Sequence, residues 1–123
     1  MRFYLSTGAD GRSAPLSVFS NSVFHELLHI YVGDILDSLP GQTTPLLEKY
    51  KAEPPMVLSH LHLFAVEALV YQRLGRERDL EAVFEHERRS PPAAFFARAR
   101  EIVAAEKPQS FVRELRRGRG SGR

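Results

Sequence analysis

The segment Met56–Leu74, MVLSHLHLFAVEALVYQRL, constrains this chain more than any other. Its pattern reads as a long helix, and apolar side chains cover it nearly all round. A helix of that kind is stable only when neighbours cover most of its sides. Yet it carries His60, His62 and Glu67. Glutamate is almost never fully buried without a partner. Glu67 therefore needs a reason to be there, either a paired arginine or a metal ion.

A second apolar stretch meets the same difficulty. Phe19, Val23, Phe24, Leu27, Leu28 and Tyr31 give a helix from Leu16 or Ser17 to about Val32, with apolar coverage wide enough to predict burial on most sides. Gly33 is placed to stop it, and Asp34 to Leu39 add a further turn before Pro40-Gly41. Two histidines and a glutamate interrupt this frame as His25-Glu26-Leu27-Leu28-His29, an HExxH motif. Four residues are just over one helical turn, so His25 and His29 project from one face. Their imidazoles can converge on one Zn²⁺. Glu26 can reach a metal-bound water without binding the metal, the position of a general base. Burying three such groups without partners costs several kcal/mol, and a metal with its water satisfies all three.

The remaining elements follow from spacing and punctuation. Arg2 to Ser6 reads as a short strand, and Gly8, Asp10 and Gly11 as a loop. Thr43 to Lys51 is a loop or short helix. A helix spans Asp79 to Arg89, with Leu80, Val83 and Phe84 at helical spacing. Another opens with Ser90 as N-cap and Pro91 at N1, carries Phe95, Phe96, Ala99, Ile102 and Val103, and ends at Pro108. Ser110 to Leu115 adds a short last turn. The fold class is mainly α, with at most one short N-terminal strand.

Composition narrows the chemistry. With 123 residues, 43% hydrophobic and 26% charged, the chain has room for one ordinary globular domain, read as residues 1–112. There are no cysteines, so any metal is held by His, Asp or Glu. No apolar run spans a bilayer, and the N-terminus lacks the layout of a secretory signal. The expected location is cytoplasmic, or secreted if the true start lies upstream. Residues 113–123 crowd Arg113, Arg116, Arg117, Arg119 and Arg123 beside a single acid, Glu114. They read as a disordered basic tail, solvated rather than bound to nucleic acid.

A catalytic zinc usually has three protein ligands and an open position. The pattern HExxHxxGxxH is excluded, because Val32 and Ile35 stand where glycine and histidine would be. Glu67 is the first candidate for the third ligand. It shares a helix face with His60, Phe64 and Tyr71, and that stripe can meet the HExxH helix. His60 or Tyr71 would then orient a ligand or hydrogen-bond an oxyanion. Three rivals stay open: Glu48, on an amphipathic and exposed segment, His60, and His62, which points away from the Glu67 stripe. His86 reads as surface.

The frame Ser22-Val-Phe-His-Glu-Leu-Leu-His-Ile-Tyr31 resembles the active-site helix of the zincin metallopeptidases. Val66-Glu67-Ala68-Leu69-Val70-Tyr71 is similar to the second helix of their gluzincin branch. The likeness covers about residues 16 to 75. It implies a zincin-like helical core in which His25, His29 and Glu67 bind zinc and Glu26 activates water against a peptide carbonyl. It also implies a peptide or protein substrate. Zincins carry a sheet upstream of the first helix, for which about sixteen residues leave little room. Either an upstream segment or a second chain supplies it, or it has been lost. Two other functions stay open: a non-catalytic zinc-binding helical domain, and a helical interaction module with a basic tail.

Overall fold

The computed structural model describes the backbone of residues 4–6 and 13–121 and the side chains of residues 20–117. The elements run β1 (Tyr4–Ser6), β2 (Ser13–Pro15), α1 (Leu16–Asp37), α2 (Pro45–Lys49), α3 (Pro55–Arg73), α4 (Glu77–Glu87), α5 (Ala93–Glu106) and α6 (Pro108–Ser121). The fold is mainly helical, as the sequence indicates. The expected N-terminal strand has a partner. β1 pairs antiparallel with β2, with Tyr4 opposite Pro15 and Leu5 opposite Ala14. Three residues ending in proline are too short a pattern to read as a strand. The loop assigned to Gly8, Asp10 and Gly11 lies outside the described residues. Among the described residues, no helix is long and apolar enough to cross a membrane.

Helix α3 is the centre of the packing, with α1, α4, α5 and α6 around it. Val57, Leu61, Leu63, Phe64 and Ala65 are buried, and Phe111 of α6 and Ala99, Ile102 and Val103 of α5 join them in one core. Pro55 sits in the first turn of α3, where its missing N–H costs nothing. Gly75 ends the helix in the left-handed region, with φ 66°. That turn sends the Arg76 N–H back to the Tyr71 carbonyl at 2.9 Å and the Gly75 N–H to Gln72 at 3.1 Å, a Schellman closure.

Helix α1 departs from expectation in two ways. It runs through Gly33 to Asp37. It also buries one stripe rather than most of its sides. Asn21, Leu28, Val32 and Ile35 face inward, while Val23, Leu27, Ile30 and Tyr31 are exposed. Hydrophobicity alone does not tell an apolar face that is covered from one that is not. Beyond α1, the short helix α2 resolves the loop-or-helix choice at Thr43 to Lys51. Thr44 caps it by accepting the Leu47 N–H at 3.2 Å.

Two further expectations are corrected. Ser90 is not the cap of α5, which begins at Ala93 after Pro92. The Ser90 hydroxyl instead donates to the Glu87 carbonyl at 2.7 Å and closes α4. Residues 113–121, read as a disordered tail, belong to α6. Phe111, Glu114 and Leu115 occupy one helical face and are buried. That burial secures a segment whose arginine content alone suggests disorder. Arg113, Arg116 and Arg117 remain exposed, and residues 122–123 lie outside the described residues.

Candidate metal centre

Helices α1 and α3 lie antiparallel along their shared face. Asn21, near the start of α1, meets Glu67 and Tyr71 in the second half of α3. His25 and His29, one and two turns further along α1, meet His60 near the start of α3. That register decides which side chains come together. Glu67 and His60 are seven residues apart, about 10 Å along a helix axis. Only His60 is level with the HExxH histidines.

The His25 and His29 Nε2 atoms are 3.1 Å apart. The His60 ring centre lies 5.2 Å from that of His25 and 4.8 Å from that of His29. One ligand atom from each of the three imidazoles lies within 4.8 Å of the others. Two nitrogens on a tetrahedral zinc, with Zn–N near 2.0–2.1 Å, are about 3.3 Å apart. The His25–His29 pair is close to that spacing, and His60 stands beside both. The His60 Nδ1–H donates to the Met56 carbonyl at 2.8 Å. This fixes the tautomer and leaves Nε2 with a free lone pair, the usual arrangement of a ligating histidine.

The surroundings of His60 and His25 favour the neutral imidazole, the form that binds a metal. Phe64 and Phe96 stand 5.2 Å and 4.9 Å from the His60 ring. Burial is the main reason that the His60 pKa falls to about 4, with His29 and His25 pushing the same way against the Met56 hydrogen bond. His25 is also held below its ordinary value, first by burial and then by the neighbouring His29. Glu26 and Glu87 oppose that shift, so both carboxylates act on the centre electrostatically.

Glu67 is placed elsewhere. Its side chain is 0% exposed. The Arg100 Nη2 donates to one carboxylate oxygen at 2.8 Å and the Asn21 Nδ2 to the other at 3.0 Å. Burial pushes the carboxyl pKa up, against the pull of Arg100 and Asn21. The structure therefore does not assemble the ligand set His25, His29 and Glu67, and the reason is the helix register. The stripe of His60, Phe64, Glu67 and Tyr71 does face α1, but its two ends meet different partners. The Tyr71 hydroxyl accepts from Asn21 at 3.0 Å.

The other candidates are distant from the centre or taken. Glu48 is exposed on α2 and accepts from the Thr43 hydroxyl at 3.3 Å. His62 is fully buried with its Nε2 2.8 Å from a Glu114 oxygen. His86 is exposed, as its charged neighbours suggest. Glu26 is exposed on α1 beside His25.

Sequence reasoning missed Arg100, Glu87, Asn21 and Phe96. Arg100 clamps Glu87 with two hydrogen bonds, 2.9 Å and 2.8 Å long, while it holds Glu67. Its signal was present. Arg100 falls between Phe96 and Val103 on the apolar stripe of α5, and an arginine at such a position needs a buried acid. Comparison with known proteins gives no matching family model, no similar curated protein and no similar solved structure.

Proposed function

We propose that this chain is a metal-dependent hydrolase whose divalent ion, zinc by preference, is held by His25, His29 and His60. The observation that carries the reading is the convergence of three imidazoles from two helices. Three histidines leave one position of a tetrahedral ion open, the condition for a catalytic site. A divalent ion bound there supplies Lewis acidity and a water of lowered pKa. Glu26, next in sequence to His25 and open to solvent, takes the proton as general base. Phe64 and Phe96 pack their rings against His25 and His60. The bond cleaved is an acyl bond, with a peptide as the first substrate class. Zinc titration and turnover of a peptide pool test the reading together. The wild type takes up one equivalent of zinc, His60→Ala loses it, and Glu67→Ala does not. Glu26→Gln keeps the zinc and loses about 10²-fold or more of the activity.

A second reading has its own support, since the ligands tie α1 to α3 across the core face. In that case the ion is a structural staple. Chelation would lower the melting temperature, and zinc-loaded protein would show no turnover for Glu26→Gln to remove.

A further inference from the structure

Helix α1 leaves an apolar stripe in solvent. Among the described residues seven large apolar side chains stand exposed, and four of them, Val23, Leu27, Ile30 and Tyr31, belong to α1. Val23, Leu27 and Ile30 follow spacings of four and three residues, so they form one line on the side of α1 away from Leu28, Val32 and Ile35. Tyr31 borders that line. Together the four expose on the order of 400 Å² per chain, a size at which a contiguous apolar patch marks an interaction site. Ser20 extends the line at one end, and Asp34 and Asp37 at the other. Among the described residues neither aspartate has a hydrogen bond or an ion pair. Both stand in the last turn of α1, where the helix dipole disfavours a carboxylate and no basic residue offsets it.

The charges along that line select the occupant. A parallel pair of α1 helices sets Asp34 against Asp34 and Asp37 against Asp37. An antiparallel pair, with its two-fold axis level with the midpoint of Leu27 and Ile30, packs Leu27 of each copy on Ile30 of the other. It places Asp34 opposite Val23 and Asp37 opposite the Ser20 hydroxyl, beside the positive N-terminal half of the opposing helix. The helices flanking α1 do not supply that compensation within one chain. α6 packs Leu115 on Val32 and Ile35, but none of its exposed Arg113, Arg116 and Arg117 pairs with either aspartate. α4 exposes both signs of charge. Gly33 fits the antiparallel pair as well. A glycine inside a helix is destabilising relative to alanine, and nothing in the chain lies within 4 Å of the place its side chain would fill. It stands on the flank that meets Glu26 of the second copy and leaves room for it. A membrane surface is a poorer occupant, because α1 carries no lysine or arginine. We propose that this chain self-associates as a two-fold dimer through antiparallel α1 helices. The two stripes contribute roughly 800 Å² of apolar area, which with their rims reaches the low end of specific interfaces, about 1,200 Å². The proposal does not rest on the metal reading.

Sedimentation equilibrium of the full chain, in chelator and again with zinc, tests the association. The wild type is expected to pass from monomer to dimer in both conditions, with a Kd on the order of 10 µM. Ile30 is 64% exposed, so Ile30→Lys leaves the fold intact, as an unchanged helical circular dichroism spectrum shows. It should weaken the dimer by about tenfold or more, because it sets a charge against Leu27 of the other copy. Disulfide trapping reads the orientation, free of background because the chain has no cysteine. A mixture of Val23→Cys and Asp34→Cys should give mainly the mixed dimer, and Asp34→Cys alone should give little. A chain that stays monomeric at about 1 mM, association that needs zinc, association unchanged by Ile30→Lys, or Asp34→Cys dimers that form as readily as mixed ones each overturns the proposal.

Discussion

Replacing Arg100 with methionine gives a stability change whose size and pH dependence both follow from the structure. Methionine keeps an unbranched apolar stem and removes the charge. Glu67, with 0% exposure, then keeps only the Asn21 amide. Glu87 loses both of its bonds to the guanidinium. Leaving a buried carboxylate without its cation costs about 3–5 kcal/mol. Part of that is recovered because Glu67, whose pKa burial already raises, can take a proton instead. The expected loss near neutral pH is about 3 kcal/mol, a large share of the 5–15 kcal/mol typical of a domain. The sign with pH is fixed. Without Arg100 the folded-state pKa of Glu67 lies further above its unfolded value. The contribution of the protonated group is fully present below the unfolded pKa and is lost as pH rises through the folded value. Arg100→Met should therefore be penalised most at neutral pH and least as pH falls towards the carboxylate range. Adding Glu67→Gln to Arg100→Met should restore about 2 kcal/mol, although Glu67→Gln does not stabilise the wild type, a coupling of about 2–3 kcal/mol. Urea denaturation of the four proteins at two pH values measures all of this. A loss under about 1 kcal/mol, a penalty independent of pH, or strictly additive substitutions would refute the reasoning.

Other perturbations have simpler expectations. Phe111, fully buried between α6 and α3, should cost about 3–5 kcal/mol on replacement with alanine, read by denaturant titration. Glu114 should be one source of acid instability. Burial pushes its pKa up, but His62, Thr44 and the Leu46 N–H outweigh that and hold it below its ordinary value. Its contribution is present above the unfolded carboxylate pKa and is lost as pH falls through the folded one, so Glu114→Gln should flatten the acid limb of the stability curve. Gly75→Ala places a side chain at φ 66° and should lower stability by about 1 kcal/mol, seen as a lower melting temperature.

Local information in the sequence carried far, and register did not. The pairing of His25 with His29 depends only on helical spacing and was legible, as was the shared face of His60, Phe64, Glu67 and Tyr71. Which end of that face meets the histidines depends on how α1 and α3 slide past each other. The loops and caps that set this register, including Pro40-Gly41 and Pro54-Pro55, leave no periodic trace. Glu67 was recognised as a residue in need of a partner, but that partner is Arg100, thirty-three residues on and on another helix. The alternative of an arginine-paired glutamate was present in the sequence argument, and burial made it as demanding as a metal. The C-terminal helix was hidden for a different reason. Its apolar side, Phe111 and Leu115, is narrow, and the arginines around it dominate the composition.

The central claim is the ligand set, and X-ray absorption at the zinc edge of the zinc-loaded protein tests it most directly. The account predicts three imidazole nitrogens at about 2.0 Å and one light-atom ligand. It also predicts loss of one imidazole in His60→Ala and an unchanged spectrum in Glu67→Gln. Two imidazoles with a carboxylate, indifferent to His60→Ala and altered by Glu67→Gln, would contradict it.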